Sequence, residues 1–326
     1  MIRKPPKDVV QRYKKNPIIT LDDIPFRCNS VFNTGATKLG DEYILMLRVE
    51  DQIGHSFLAL ARSKDGFDFK IDPKPAMVPS NEEPFRTYEK YGLEDPRITK
   101  IGDTYYIMYT AYSSHAPLLG LAKTRDFETF ERIGIVSLPE NKDGALFPAK
   151  INGRYVRLDR PVPGGSSRAA NIWISFSPDL IHWGDAQCLM QGIENSWDSQ
   201  RIGAGAPPFE TSQGWLEIYH GVKETVCGRI YRLGVVLLDR EDPRKIIGRA
   251  RIPILSPREP YERTGDVPNV IFCCGVIPNE KKDEVLIYYG ASDTCICAGI
   301  ASISELIDMA LNVTPILSTH AMENTT

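Results

Sequence analysis

No stretch of this 326-residue sequence approaches the roughly eighteen unbroken apolar residues that a membrane-crossing helix requires, which excludes helical membrane spans. An excess of one charge is also missing: 39 Lys and Arg against 42 Asp and Glu give a formal net charge of −3. Nucleic-acid binders normally carry a strongly basic face, so the balance argues against that class. The seven cysteines are odd in number and irregularly spaced. Cys295 and Cys297 flank one residue inside a strand-like run, but no second Cys or His pair stands at metal spacing. They read as small buried residues, and neither a metal nor an organic cofactor is expected. The basic N-terminal residues, Met1 to Lys7, lead into no apolar segment. A secretory signal is therefore not expected, and reduced thiols point to the cytoplasm.

Helical periodicity is scarce as well, clear only around Ile303 to Leu311. What the chain has instead is strands. Tyr43 to Arg48, Thr104 to Ala111, Ile172 to Phe176, Trp215 to His220, Tyr231 to Leu238 and Val285 to Gly290 are rich in β-branched and aromatic residues. Gly, Pro, Asn or Asp bound each of them. One segment recurs: Ala61 to Phe69, Ala122 to Phe130 and Ser175 to Trp183. Each copy sets a hydroxyl two residues before an Asp (Ser63/Asp65, Thr124/Asp126, Ser177/Asp179) and an aromatic four residues after it (Phe69, Phe130, Trp183). Such side chains bond the local backbone of a tight turn, and the aromatic is expected to pin that turn to its own blade. Weaker echoes follow at Leu238 to Pro243 and Ala301 to Glu305. A repeat of roughly sixty residues with about four strands is a propeller blade. The expectation is an all-β, five-bladed β-propeller forming a single domain over residues 1–326, with short terminal extensions. A propeller gathers its ligand site at one mouth of a central channel, so site residues should be scattered along the chain.

Tyr91-Gly-Leu-Glu-Asp-Pro-Arg97 packs two acids beside an Arg, with a Pro restricting the Asp backbone. Asp95 held this way is a candidate general acid if burial or a negative neighbour raises its pKa. The alternative is a structural turn in which Asp95 pairs with Arg97. Further acid-and-base segments share this character: Leu47 to Asp51 ends an inner-type strand, Leu146 to Pro161 reads as a polar-studded hairpin, and Arg201 to Pro208, Ile218 to Gly221, Gly265 to Asn269 and Tyr289 to Thr294 follow. One such element per blade fits a single central site.

These segments resemble glycoside hydrolase family 130, the inverting β-mannoside phosphorylases and their hydrolytic relatives. The likeness runs from Asn29-Ser-Val-Phe-Asn33 to Tyr288-Tyr-Gly-Ala-Ser-Asp293-Thr. It is most specific at Glu94-Asp-Pro-Arg97, Leu146-Phe-Pro-Ala-Lys150, Ile202-Gly-Ala-Gly205 and Tyr219-His-Gly-Val222. The resemblance implies a five-bladed propeller and makes Asp95 the proton donor, acting through the 3-hydroxyl of the mannosyl unit. It implies a sugar grip from Asn33, Arg48, Asp51, Asp266 and Asp293, and a phosphate site from Lys150, Arg160, Arg201, His220 and Arg168.

The chemistry is consistent with a phosphorylase. An inverting hydrolase needs an acid and a base that activates water, whereas phosphate arrives already able to attack, held by cations on the opposite sugar face. The expected co-substrates are a β-mannoside oligosaccharide and inorganic phosphate, the products α-mannose 1-phosphate and a shortened sugar. β-1,4-acting members of the family often carry Arg where Ala149 stands and a His-containing loop where Gly164 to Arg168 runs. The linkage expectation therefore leans to β-1,2. A hydrolase using Glu50 or Glu194 as base and a non-catalytic carbohydrate-binding propeller are the competing readings. Acceptor sugar and oligomeric state, a homo-oligomer included, are left open.

Overall fold

The computed structural model describes residues 8–162 and 170–312. A short strand β1 (Gln11–Arg12) is followed by a first blade of β2 (Ser30–Leu39), β3 (Glu42–Glu50), β4 (Ser56–Ser63) and β5 (Lys70–Ile71). The second comprises β6 (Gly92–Ile101), β7 (Thr104–Tyr112), β8 (Leu118–Thr124) and β9 (Glu131–Ile135). The third comprises β10 (Asn141–Leu146), β11 (Tyr155–Pro161), β12 (Ile172–Ser177) and β13 (Gly184–Met190). The fourth holds β14 (Arg201–Gly203), β15 (Phe209–Thr211), β16 (Gly214–Thr225), β17 (Gly228–Leu238) and β18 (Ile246–Arg249). The fifth holds β19 (Ile271–Asn279), β20 (Glu284–Ala291) and β21 (Cys295–Ser302). Its outermost strand is β1, paired antiparallel with β21, so the N-terminal segment closes the ring. Among the described residues no helix is long and apolar enough to cross a membrane.

Five apolar clusters lie between consecutive blades and account for the ring. Val31 and Leu45 of the first blade meet Tyr288 and Ile296 of the fifth, and Phe147 and Leu158 of the third meet Trp215 and Tyr219 of the fourth. The recurring turns take the expected form. Ser63 Oγ accepts the amides of Asp65 and Gly66, while Asp65 Oδ1 accepts those of Phe67 and Asp68. Thr124/Asp126 and Ser177/Asp179 repeat the pattern. Asp239 makes the same turn without a hydroxyl partner, and in the fifth repeat Ser302 instead caps helix Ile303–Leu311 by accepting from the Glu305 amide. One aromatic departs from expectation: Phe69 packs edge-on against Tyr288, tying the first blade to the fifth rather than only to its own turn.

Candidate active site

The innermost strand of each blade breaks at a corresponding level. β2 slips register between Phe32 and Thr34, β6 between Glu94 and Arg97, β10 between Lys142 and Ala145, and β19 between Cys273 and Gly275. In the fourth blade the inner strand stops at Gly203 and resumes at Phe209. A bulge leaves a residue unpaired and re-aims its side chain. Asn33, Asp95 and Asp143 occupy these bulges with φ of 49°, 50° and 58°. Asn and Asp tolerate that left-handed conformation better than other side chains, at a cost on the order of 1–3 kcal/mol each. Pro96 keeps Asp95 out of the right-handed helical region as expected, but the residue escapes to positive φ rather than to extended backbone. The acid thus sits inside a bulged strand and not in the turn before it.

Asp95 is 5% exposed. Its Oδ1 accepts from Asn33 Nδ2 at 2.8 Å and from an Arg48 terminal nitrogen at 3.0 Å. The other Arg48 terminal nitrogen reaches Glu94 Oε1 at 3.0 Å, and Lys142 Nζ reaches Glu94 Oε2 at 2.8 Å. Burial pushes the Asp95 carboxyl up, but Arg48, Lys142, Arg97 and the Asn33 bond outweigh it and hold it below the usual range. The unliganded acid is therefore ionised, contrary to the raised pKa expected from sequence. The raised carboxyl is Asp293. Burial, with Asp95, Asp266 and Glu50 against the pull of Arg48, moves it to about 7.

Beside this acid cluster lies a sector of cations. Buried Arg97 donates to the backbone carbonyls of Asp95, Ala204 and Gly205 and to Asp143 Oδ1. It ties the Asp95 bulge to the fourth blade through main chain, without pairing with the Asp95 carboxylate. Asp143 Oδ2 accepts from Arg160 Nε and lies 3.6 Å from His220 Nε2. His220 packs against Phe272 and Tyr231, and neither ring nitrogen has a hydrogen-bond partner among the described residues. Burial, then Arg160, Arg97 and Arg201 against the pull of Asp143, lowers it to about 3, so the imidazole is neutral. The Arg201 Nε is buried and has no hydrogen-bond partner among the described residues. Only glycine fits at 203, because a Cβ there would collide with the Asp143 carboxylate and the His220 ring.

A family model described as β-1,4-mannooligosaccharide phosphorylase, glycoside hydrolase family 130, matches residues 1–312. The chain belongs to glycoside hydrolase family 130. Within the family it is 41% identical over 288 residues to a 1,2-β-oligomannan phosphorylase of Thermoanaerobacter sp., covering 85% of this chain and 91% of the relative. It is 36% identical over 306 residues to a β-1,4-mannooligosaccharide phosphorylase of Ruminococcus albus, covering 93% and 91%. The solved β-1,2-mannobiose phosphorylase of Listeria innocua, in complex with β-1,2-mannobiose, superposes with a TM-score of 0.84 at 33% identity, covering 92% of this chain and 99% of that one.

The residues that the family 130 pattern suggests divide by location. Asn33, Arg48, Asp95 and Asp293 converge, with Asp266 close enough to act on the Asp293 carboxyl. Asp51 uses Oδ1 to accept the amides of Ile53 and His55, bracing its own turn. Arg160, Arg201 and His220 form the cation sector. Lys150 does not join them. It is exposed at the opposite end of the β10–β11 hairpin from Arg160, over the Tyr155 ring, because β10 carries the chain away from the mouth. Ala149 packs beside it against the core between the third and fourth blades. Arg168 and the loop Gly164 to Arg168 lie outside the described residues. Of the two candidate hydrolytic bases, Glu194 is exposed, and Glu50 stands 3.8 Å from Arg48. Sequence reasoning missed Lys142 and Asp143. Their signal was the polar triplet Asn141-Lys142-Asp143 opening an inner strand, just as Glu94-Asp95 does one blade earlier.

Proposed function

We propose that the protein is an inverting β-mannoside phosphorylase, with β-1,2-linked mannooligosaccharides preferred over β-1,4-linked ones. The observation that carries this reading is the pairing of one bulge-held acid, Asp95, with a neighbouring basic sector that has unfilled hydrogen-bonding capacity at Arg201 and His220. A hydrolase has no use for such a sector around its water, whereas a phosphate dianion does. Phosphate held by Arg160, Arg201 and neutral His220 attacks the anomeric carbon from the face opposite the leaving sugar. The glycosidic C–O bond breaks, and the departing oxygen takes the Asp95 proton by way of the mannosyl 3-hydroxyl. Configuration inverts, giving α-mannose 1-phosphate and a shortened sugar. Asp95 starts as a carboxylate; the incoming dianion raises its proton affinity because like charges nearby disfavour ionisation, and Asp95 takes up from solvent the proton that it then passes to the leaving oxygen. Lys142, which bonds Glu94 and acts on Asp95, replaces Lys150 as the third-blade lysine of the site. Asn33 and Arg48 orient Asp95, and Asp266 and Asp293 are assigned to sugar hydroxyls.

Relatives and a solved structure named for β-1,2 linkages support that preference. Seven free cysteines, four of them buried, fit a reducing compartment, and we assign the enzyme to the cytoplasm. The test is to incubate the protein with β-1,2- and β-1,4-mannobiose and phosphate and follow products by phosphorus NMR. α-Mannose 1-phosphate forming faster from the β-1,2 isomer is expected. Release of free mannose alone would contradict the phosphorylase reading, and a faster β-1,4 reaction would contradict the linkage.

A further inference from the structure

The interface between the second and third blades is packed unlike the others. Its apolar cluster has six buried residues among those described, against thirteen between the first and second blades. In place of further core it holds a cleft of about 820 Å³ between the β9–β10 connection and one face of β11, β12 and β13. That is within the several-hundred-Å³ range of small-ligand sites. On the cleft wall Arg157 and Asp159 form an ion pair, each less than 5% exposed. Asp159 Oδ2 accepts from Arg157 Nε at 3.0 Å and Asn141 Nδ2 at 3.2 Å, while Oδ1 accepts from no described residue. The hydroxyl of Ser175, a residue 3% exposed that also lines the cleft, has no hydrogen-bond partner among the described residues. An unmade bond at a buried hydroxyl such as that of Ser175 costs about 1–3 kcal/mol and is normally satisfied by water or a ligand. Two indoles complete the wall: Trp183, with Arg157 stacked 4.2 Å from its ring centre, and half-exposed Trp173.

We propose that this cleft is a second saccharide-binding site, separate from the channel, that takes a segment of a β-mannoside chain. The two buried charges on the wall, Arg157 and Asp159, are spent on each other, and the one other carboxylate that lines the cleft, Glu140, lies at its exposed edge. What the wall offers is hydroxyl-scale donors and acceptors beside flat apolar rings, which matches a pyranose with its polar edge and C–H face. Asn141 and Asp159 are each one residue from a channel side chain, Lys142 and Arg160, so the two sites share the strands β10 and β11. The choice of a mannoside rests on the function proposed above.

The experiment is calorimetric titration of the full-length Asp95→Asn protein, which does not consume its ligand, with β-1,2-mannotriose. Two equivalents are expected to bind. Adding Trp173→Ala, or Ala186→Trp to obstruct the cleft from an exposed strand position, should weaken one equivalent at least tenfold and leave the other unchanged. The second variant keeps the test decisive should Trp173→Ala not fold. A single equivalent, indifferent to both substitutions, would overturn the cleft site. So would no binding at all, and wild-type production of mannose 1-phosphate measured in parallel would show whether the catalytic reading fails with it.

Discussion

Asp95 is ionised in the unliganded site because Arg48, Lys142 and Arg97 outweigh its burial, while Asp293 nearby is the carboxyl that holds a proton near neutrality. Replacing Asp95 by Asn keeps its shape and its tolerance of positive φ but removes the carboxyl proposed as proton donor. Turnover is expected to fall by about 10²–10⁴-fold. Because Asn cannot balance Arg48, a stability loss of about 1.5–3 kcal/mol, read by denaturant melts, should accompany it. A variant with full activity would contradict the assignment. Asp293 gives a pH signature. Its folded-state pKa of about 7 exceeds the ordinary carboxylate value near 4, so the folded chain binds this proton more tightly than the unfolded one. Its contribution to stability is present below pH 4 and is lost as pH rises towards 7. Asp293→Asn should flatten that slope in melts between pH 4 and 7, and an unchanged slope would contradict the shift. At this scale the residues alone singled out Asp95, between Glu94 and Pro96, whereas Asn33, Arg48, Arg160 and His220 were picked out only through the family resemblance. Lys150 misled because reading one residue pair at a time says nothing about which end of a hairpin faces the mouth.

Among the elements, the strands legible from sequence were β3, β7, β12, β16, β17 and β20. All are second or third strands of their blades, covered on both faces and therefore apolar along most of their length. Of the innermost strands, those at Gly92–Ile101 and Arg201–Gly203 were read as turns, and none of the five was read as a strand. Asn33, Glu94-Asp95-Pro96 and Lys142-Asp143-Gly144 interrupt them with the polar, Pro and Gly residues that otherwise signal loops, since bulges need those residues. The same device makes Gly203 a sensitive position at the broken inner strand of the fourth blade. A methyl group there enters the space of Asp143 and His220. Gly203→Ala should raise the KM for phosphate at least tenfold and destabilise the protein by about 1–3 kcal/mol of overpacking. An unchanged KM for phosphate would separate this sector from phosphate binding.

Across the whole molecule, three blades were countable from the Ser/Thr-x-Asp turns and two more from weaker echoes at the same spacing, but the closure of the ring was not legible. Two residues of β1 carry no strand pattern, and their partners lie nearly three hundred residues away in β21. The closure is fastened by charge: Arg12 Nε donates to Glu262 Oε1 at 2.7 Å, with Glu262 fully buried and also bonded to the Tyr289 hydroxyl. Arg12→Ala strips a buried carboxylate of its cation and is expected to cost about 3 kcal/mol. That corresponds to a melting point lower by roughly 4–5 °C for a chain of this length, with activity at room temperature retained. A melting point within a degree of wild type would show that β1 does not hold the ring closed. The ring brings Asp95 and the cation sector together, and the account as a whole stands on an inorganic anion, not water, being the nucleophile. The most direct measurement is the initial rate of β-1,2-mannobiose cleavage against phosphate concentration, extrapolated to zero phosphate. A saturating curve through the origin is predicted; a finite rate at the intercept would contradict it.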